Sequence, residues 1–331
     1  VKNSQTKTAQ AIRQIAAGWR VALTGTPIEN HLGDLWSLFR AISPGLFGSW
    51  ERFRERFAAP IERDHDPRRR EALARLVRPF VLRRTKDQVL QDLPERTEIR
   101  LDAELSPEAR TLYDQARLAA LAKLTTKEAD EDQRFQVLAA LTRLRQLACH
   151  PRLVLPETKA ASAKLELFLE TVDELRDEGH RALVFSQFTS LLALVREALD
   201  ALGVKYQYLD GSTPAAKRDL AIQAFQRGEG DLFLISLKAG GTGLNLTAAD
   251  YVIHLDPWWN PAVEDQATNR AHRIGQTKPV TVYRIVATGT IEEKILSLHA
   301  SKRDLVEGVL DGADQAGKLS TDELIALIRE G

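Results

Sequence analysis

The feature that most constrains the fold is an alternation of short apolar runs and amphipathic segments from residue 163 to residue 286. The runs at 182–185, 232–235 and 251–255 are almost wholly apolar, which is typical of strands buried on both faces. The segments between them have the spacing of helices. This alternation predicts a parallel sheet covered by helices on both faces.

A glycine-rich loop follows one of the predicted strands. Gly240, Gly241 and Gly243 lie in the loop that follows the run at 232–235, and ligands of open α/β sheets gather where strands end. Glycine lets a backbone approach a phosphate closely, because no side chain intervenes. The loop is therefore a candidate phosphate-binding element.

Two arginines stand three residues apart near the end of a predicted helix. Arg270 and Arg273 belong to the segment 261–272, so they are expected to share one helix face or its exit. Paired guanidiniums suit a phosphate chain, because each is a planar fork that stays charged. Taken alone, such a pair is more typical of two surface arginines in helical salt bridges.

The order of residues around these features resembles the Swi/Snf-type ATPases of helicase superfamily two, in a bacterial form. Residues 265–276 read Asp-Gln-Ala-Thr-Asn-Arg-Ala-His-Arg-Ile-Gly-Gln and resemble motif VI of that family. Residues 238–246 resemble its motif V. A short turn formed by Thr24, Gly25 and Thr26 resembles motif III, which in that family couples the state of ATP to the DNA path.

The resemblance covers nearly the whole chain and implies an α/β fold. It comprises a RecA-like parallel sheet with helices on both faces, a mainly helical insertion region and the tail of a first RecA-like lobe. We expect the tail of lobe one at 1–40, with a short strand at 19–23. A helical protrusion and linker with few strands follows at 41–160, then the second lobe at 161–290 and a helical brace at 291–331.

The resemblance assigns one group of residues to ATP. Arg270 and Arg273 are implied as arginine fingers, each worth roughly 10³–10⁵ in rate in such enzymes. The implied ATP-binding neighbours are Gln266, Gly243 and Asn245. ATP and Mg²⁺ are the implied cofactors of the full-length protein, held mainly by another domain, and no metal ligands are expected here.

A second group is assigned to double-stranded DNA. Small hydroxyls and backbone amides at helix starts can grip phosphate without reading sequence, so we expect strong salt dependence and little sequence preference. The implied DNA-binding residues are Gln187, Phe188, Ser212, Thr213, Lys238, Thr242, Trp259 and Asn260. Trp258 is expected to belong to the core. Other expected partners are the missing amino-terminal RecA-like lobe and DNA-bound proteins or RNA polymerase.

Two stretches imitate nucleotide-binding motifs without their setting. Asp-Glu-Gly-His at 177–180 follows an amphipathic helix instead of the strand that a Walker B box needs. The stretch 312–319 nearly matches a P-loop, but Leu319 replaces the hydroxyl residue. With neither motif, this chain alone is expected to bind no cofactor and not to hydrolyse ATP at a useful rate. It begins with Val1 and contains no Met, so we expect a fragment.

The sequence leaves three functions to be considered. The first is the carboxy-terminal part of an ATP-dependent double-stranded-DNA translocase or remodelling protein. The second is an ATP-independent DNA-binding or partner-docking module. A Rossmann-type oxidoreductase is disfavoured, because no G-x-G-x-x-G follows a first strand.

The composition limits the kinds of binding surface, disulfide and cellular location that we expect. The 46 basic and 46 acidic residues balance, so any DNA-binding surface must come from local segregation of charge. Basic clusters at 68–70 and 83–86 suit either a solvated helix face or contact with DNA phosphates. Residues 79–86 also resemble the family's link between the lobes, which implies internal structural clamps as an equal alternative to DNA contacts for the arginines there. Cys149 is the only cysteine, which excludes an intrachain disulfide. No apolar run is long enough for a membrane span, so we expect no membrane partner. The single cysteine fits a reducing cytoplasm, and the resemblance implies association with the bacterial nucleoid.

Overall fold

The computed structural model describes residues 6–24, 28, 31–64, 66–82, 84, 86–90, 92–124, 131–239, 244–298, 325–326 and 328–329. The chain divides into two compact units. The first contains residues 1–89, 260–262 and 298–319, and the second contains residues 90–259, 263–297 and 320–331. Each unit has its own apolar core.

The first unit is helical in its described residues. It contains α1 (Lys7–Gln14), α2 (Leu32–Ile42), α3 (Trp50–Phe53), α4 (Ala59–Glu62), α5 (Pro67–Val77) and α6 (Lys86–Val89). A π-helical turn at Arg54–Ala58 joins α3 to α4. Aromatic side chains fill the core, where Phe53 packs between the rings of Phe47 and Phe57.

The strand expected at 19–23 is absent from this unit, so that prediction was wrong. Residues 19–24 have no regular structure, and Trp19 and Leu23 are 80% and 94% exposed. A short apolar run becomes a strand only when neighbouring strands satisfy its backbone, and within the described residues this run joins no sheet.

The second unit is built on a six-stranded sheet. Its strands are β1 (Arg96–Ala103), β2 (Ala182–Ser186), β3 (Tyr206–Leu209), β4 (Leu232–Ser236), β5 (Tyr251–His254) and β6 (Val280–Ala287). The strand order is β1-β6-β5-β2-β4-β3, and all neighbours are parallel. The predicted parallel sheet is therefore confirmed.

Helices cover both faces of this sheet, as the alternation predicted. The helices of the second unit include α7 (Pro107–Leu124), α8 (Glu131–Cys149), α9 (Ala163–Asp177), α10 (Thr189–Ala201), α11 (Ala215–Gln226) and, from residue 263 onward, α12 (Pro261–Thr268). In β2, Ala182 and Val184 face a core formed with α9 and α10. Leu183 and Phe185 face the opposite core, formed with α11 and α12. A strand with two buried faces lacks the apolar–polar alternation of a half-exposed strand.

β1 was not predicted and lies within the region expected to be mainly helical. It pairs with β6 along its whole length, from Arg96 opposite Val280 to Ala103 opposite Ala287. Its sequence alternates Arg, Glu, Arg and Asp with Thr, Ile, Leu and Ala, which is the period-two pattern of an edge strand. That alternation is the signal that would have identified it.

The ends of the helices agree with their local sequence. α9 ends beside Gly179, whose φ of +74° is left-handed, and His180 N bonds back to the carbonyl of Leu175 at 2.8 Å. Residues 177–180 therefore form a helix end. Of the predicted long helix from 291, residues 291–298 are helical, and the remainder lies outside the described residues. Across the described part of the chain, no helix is both long and apolar enough to cross a lipid bilayer.

Candidate functional site

Three loops leave the carboxyl edge of the sheet side by side. The ladder of hydrogen bonds continues one residue past the strands, because Leu237 N donates to Ser186 O and Leu255 N donates to Phe185 O, each at 2.9 Å. The loops after β2, β4 and β5 are thus neighbours. They carry Gln187 and Phe188, Lys238, and Trp258 with Trp259, respectively.

The buried carboxylate of Asp256 joins two of these loops. It accepts a hydrogen bond from the hydroxyl of Ser186 and another from the backbone N of Gln187 at 3.3 Å. Burial raises the pKa of Asp256 to about 6, although Arg145 and the Ser186 hydroxyl oppose the rise. Sequence reasoning missed this residue. An acid directly after a buried strand, in a run of apolar residues, was the available signal.

Arg145 of α8 reaches the same place. Its guanidinium donates to the carbonyl of Pro257 at 2.6 Å and lies 3.6 Å from the carboxylate of Asp256. Arg145 is 3% exposed and stands among the apolar residues of α8. The helical spacing alone predicted only that it belongs to the helix.

A second buried ion pair supports the base of the loop after β5. Lys164 of α9 donates from Nζ to the carbonyl of Leu255 at 2.7 Å and pairs with Glu292 at 2.6 Å. Glu292 also accepts from Ala287 N at 2.9 Å, which ties this pair to the end of β6. The loop therefore begins from a fixed backbone.

The two tryptophans have different environments. Trp258 packs against the core between the sheet and α12, as predicted, and its backbone N donates to Glu264 at 2.7 Å. Trp259 is half-buried. Asn260 is buried, and its Oδ1 accepts from Ala262 N at 3.0 Å at the start of α12. Its side chain thus caps a helix, and its DNA contact stays a prediction.

The loop after β3 is organised by another unpredicted acid, Asp210. Ser212 Oγ donates to it at 2.7 Å and Thr213 Oγ1 at 3.1 Å, while the hydroxyl of Tyr208 donates to its other oxygen at 2.8 Å. The hydrogen bonds from Ser212 and its neighbours lower the pKa of Asp210 to about 2, although burial opposes them. The hydroxyl protons of Ser212 and Thr213 are thus directed to a carboxylate, and their phosphate contacts remain predictions.

The arginine pair does not lie on a helix face. α12 ends at Thr268, and the turn that follows is tightened by bonds from Arg270 N to Ala267 O and from Ala271 N to Thr268 O. Arg270 is 5% exposed, whereas Arg273 is exposed. Of the two expectations, the shared face was wrong and the helix exit was right.

Arg270 lies over an aromatic ring of its own unit. Its guanidinium carbon is 5.4 Å from the centre of the Phe185 ring. Burial, together with the smaller effect of the nearby charge of Arg218, lowers its pKa to about 10. Arg270 is thus not the exposed member of a surface salt-bridge network. It remains charged at neutral pH, because that pKa is far above 7.

The segments that resemble motifs V and VI lie in direct contact. Leu246 N donates to the carbonyl of Arg270 at 2.9 Å, so Asn245 adjoins the arginine turn. Gln276 Nε2 donates to the carbonyls of Thr247 at 3.2 Å and Ala249 at 2.8 Å, so it holds the residues directly after the first segment against the second. The structural role of Gln276 was not predicted.

Of the remaining predicted site residues, some are exposed and others lie outside the part of the chain that the structure describes. Gln266 and Asn245 are exposed, and Thr24 is exposed outside any regular element. Gly243, Thr242, Gly25 and Thr26 lie outside the described residues. Within the described ranges, no group of three or more His, Cys, Asp or Glu side chains has the geometry of a metal site.

Two protein-family models match this chain. Residues 1–153 match the SNF2-related domain, and residues 163–275 match the helicase conserved C-terminal domain. The Sulfolobus solfataricus SWI2/SNF2 ATPase core solved in complex with dsDNA is 35% identical, with a TM-score of 0.60, over 100% of this chain and 71% of that one. The chain belongs to the SWI/SNF-type helicase family.

Relatives within this family include bacterial proteins. The putative ATP-dependent helicase/translocase YwqA of Bacillus subtilis is 41% identical over 98% of this chain and 36% of its own length. An uncharacterized ATP-dependent helicase of Mycoplasma pneumoniae is 36% identical over 99% of this chain and 31% of its own. The chain spans about a third of the length of these curated relatives. Its sheet is that of a RecA-like SNF2 domain, as the resemblance implied.

Proposed function

We propose that this chain is the carboxy-terminal helicase lobe of an ATP-dependent translocase or remodelling protein that acts on double-stranded DNA. The observation that carries the proposal is the shared edge of the sheet, where the loops after β2, β4 and β5 leave together. Lys238 is exposed there, and Gln187, Phe188 and Trp259 are half-exposed. A positive, aromatic and polar edge suits a phosphate backbone read without base contacts.

On the nucleotide side, Arg270 and Arg273 are proposed to stabilise charge on the phosphates of ATP. Cationic guanidiniums suit a polyphosphate, because each offers several N–H donors at once. Arg273 is exposed and therefore accessible to a ligand, while Arg270 is fixed over Phe185. Gln266, Asn245 and Gly243 are the proposed neighbours of the nucleotide.

ATP with Mg²⁺ supplies the phosphoanhydride whose cleavage drives movement. This chain contains neither a Walker A nor a Walker B motif, so we expect the main holders of the nucleotide and metal on the other RecA-like lobe. The 331-residue chain alone is expected to hydrolyse ATP slowly or not at all, even with duplex DNA.

The descriptions of related proteins support the proposal of a translocase that acts on double-stranded DNA. One is described as a helicase/translocase, and a solved SWI2/SNF2 core was obtained in complex with dsDNA. For this chain we expect backbone tracking along DNA at Gln187, Phe188, Lys238, Thr242 and Trp259. Ser212, Thr213 and Asn260 are expected to contribute once their present hydrogen bonds rearrange, and Thr24, Gly25 and Thr26 are expected to couple the lobes.

The test is DNA-stimulated ATP turnover of the intact protein, measured together with displacement of a triplex-forming strand from duplex DNA. We expect duplex DNA to raise turnover and the third strand to be displaced only with ATP. Arg273→Ala should abolish both while DNA binding persists. Binding of DNA without any stimulated turnover would instead indicate an ATP-independent binding module.

A further inference from the structure

Arg145 is a buried cation on an otherwise apolar helix face. Its neighbours on α8, Leu141, Leu144 and Ala148, are all buried in the core, and Arg145 itself is 3% exposed. Burying a guanidinium is costly unless its surroundings compensate for the lost water. What surrounds Arg145 therefore indicates what the residue is for.

The polar partners of Arg145 both belong to the loop after β5. The guanidinium donates to the carbonyl of Pro257 at 2.6 Å and lies 3.6 Å from the carboxylate of Asp256. The first contact fixes the loop backbone directly before the two tryptophans. The second involves the same carboxylate that holds Ser186 and Gln187 after β2.

Aromatic rings surround the remainder of the guanidinium. The guanidinium carbon lies 5.3 Å from the ring centre of Trp259, 5.5 Å from that of Trp258 and 5.5 Å from that of Phe188. These distances are within the range of cation–π attraction, which strengthens when the cation is desolvated. One cation thus holds rings from two loops that share no strand.

We propose that Arg145 is a positioning residue that fixes the orientation of Trp259 and joins the loops after β2 and β5 into one rigid surface. The inference rests on the proposed function, in which Trp259 and Phe188 face DNA. It deepens that function by naming a residue, far from the helicase motifs in sequence, through which the DNA-facing aromatics are held.

Arginine suits this role better than lysine. A guanidinium is planar, so it presents flat faces to rings while its N–H groups point sideways to a carbonyl and a carboxylate. An ammonium group has no flat face and is more strongly hydrated. Arg145→Lys should therefore keep the buried charge but no longer hold the Trp259 ring in its orientation.

The experiment is a double-mutant cycle in the intact protein, with Arg145→Met, Trp259→Ala and the double variant. The quantity compared is the ratio of DNA-stimulated to DNA-free ATP turnover. We expect Arg145→Met to lower this ratio about tenfold, because a charge-assisted hydrogen bond and desolvated cation–π contacts are lost together. The double variant should lose clearly less than the two single losses combined, because Arg145 acts on this ratio chiefly through the orientation of Trp259. Arg143→Met, on the exposed side of the same helix, should leave the ratio unchanged.

A spectroscopic readout keeps the proposal testable apart from activity. With 5-fluorotryptophan in the intact protein, Trp259→Phe assigns one ¹⁹F resonance. Arg145→Lys should shift and broaden that resonance, while Arg143→Lys should not. This variant retains the buried charge, so it also serves if Arg145→Met fails to fold.

The outcomes separate the two proposals. Losses that add in the double variant, or a Trp259 resonance unmoved by Arg145→Lys, would overturn the positioning role and leave the proposed function standing. A parent protein without DNA-stimulated turnover would overturn the proposed function, and the ¹⁹F measurement would still decide whether Arg145 orients Trp259.

Discussion

The carboxylate of Glu264 accepts a hydrogen bond from Nε of Arg284 at 2.9 Å, and this ion pair joins α12 to β6 beneath the loop after β5. Glu264 is fully buried, and its other oxygen accepts the backbone N of Trp258 at 2.7 Å. Arg284 also pairs with Glu98 of β1. Burial would raise the pKa of Glu98, but the charges of Arg284 and Arg96 lower it to about 2.

Removing one partner of the Glu264–Arg284 pair should be strongly destabilising. Glu264→Ala leaves the Arg284 guanidinium half-compensated and the Trp258 N–H without its acceptor, so we expect a loss of about 3–5 kcal/mol in the free energy of unfolding. Urea unfolding followed by tryptophan fluorescence measures it. Glu264→Gln keeps an oxygen that can accept the Trp258 N–H, so its free energy of unfolding should fall by less than that of Glu264→Ala. Equal losses in the two variants would contradict the proposed roles of the two oxygens.

Arg273 is expected to matter for turnover more than for affinity. Arg273→Ala in the intact protein should reduce DNA-stimulated ATP turnover by about 10³-fold or more, because a finger stabilises charge that develops only in the transition state. The dissociation constant for duplex DNA, measured by fluorescence anisotropy, should stay within about threefold of the parent value. Normal turnover in this variant would refute the assignment.

Lys238 should contribute to DNA binding through charge alone. It is exposed just after β4, and a contact to one phosphate releases about one counterion. Lys238→Ala should therefore reduce the slope of log affinity against log salt concentration by about 1, equally on unrelated sequences. Lys205, exposed at the opposite end of the sheet before β3, gives the matched control. A Lys205→Ala variant with the same change of slope would contradict placement of DNA at the carboxyl edge.

Asp256 should make the stability of the two loops depend on pH. Its pKa is raised by burial from 3.8 to about 6 in the folded protein, so the folded state keeps a proton that the unfolded chain has lost. The contribution of Asp256 to stability is therefore fully present below its unfolded pKa and is lost as the pH rises through about 6.

The measurement is the opening free energy of residues 186–188 from hydrogen exchange, corrected for the intrinsic effect of pH. As the pH rises from below to above the folded pKa, this free energy should fall in the parent protein relative to Asp256→Asn, which does not titrate. A difference between the two proteins that does not vary with pH would show that Asp256 keeps one charge state throughout.

Local patterns predicted much of the second unit. The apolar runs of β2, β4 and β5 indicated buried strands, and the spacing and caps of the helices between them indicated parallel connections. Periodicity works here because each of these elements buries its side chains according to its own repeat. β1 has an equally regular repeat, but its alternation of charged residues was masked by the helical sequence around it.

The candidate site was predictable only where a motif occupies a continuous stretch. Arg270 and Arg273 were found because they lie within one twelve-residue run at 265–276. Their different exposures were not found, because the end of α12 depends on the turn after Thr268 and on the fixed position of Phe185.

The amino-acid sequence by itself determined the alternation of helices and strands from residue 163 to residue 286, the parallel sheet that these strands form and the membership of the family, since these follow from patterns a few residues long. Only the tertiary structure decided that Arg145, Asp256, Ser186 and Trp259 meet at one edge. Those residues are separated by as many as about a hundred positions, and their meeting depends on how helices pack on the sheet. No local repeat contains that information, because a buried charge is specified by its partners and not by its neighbours in the chain.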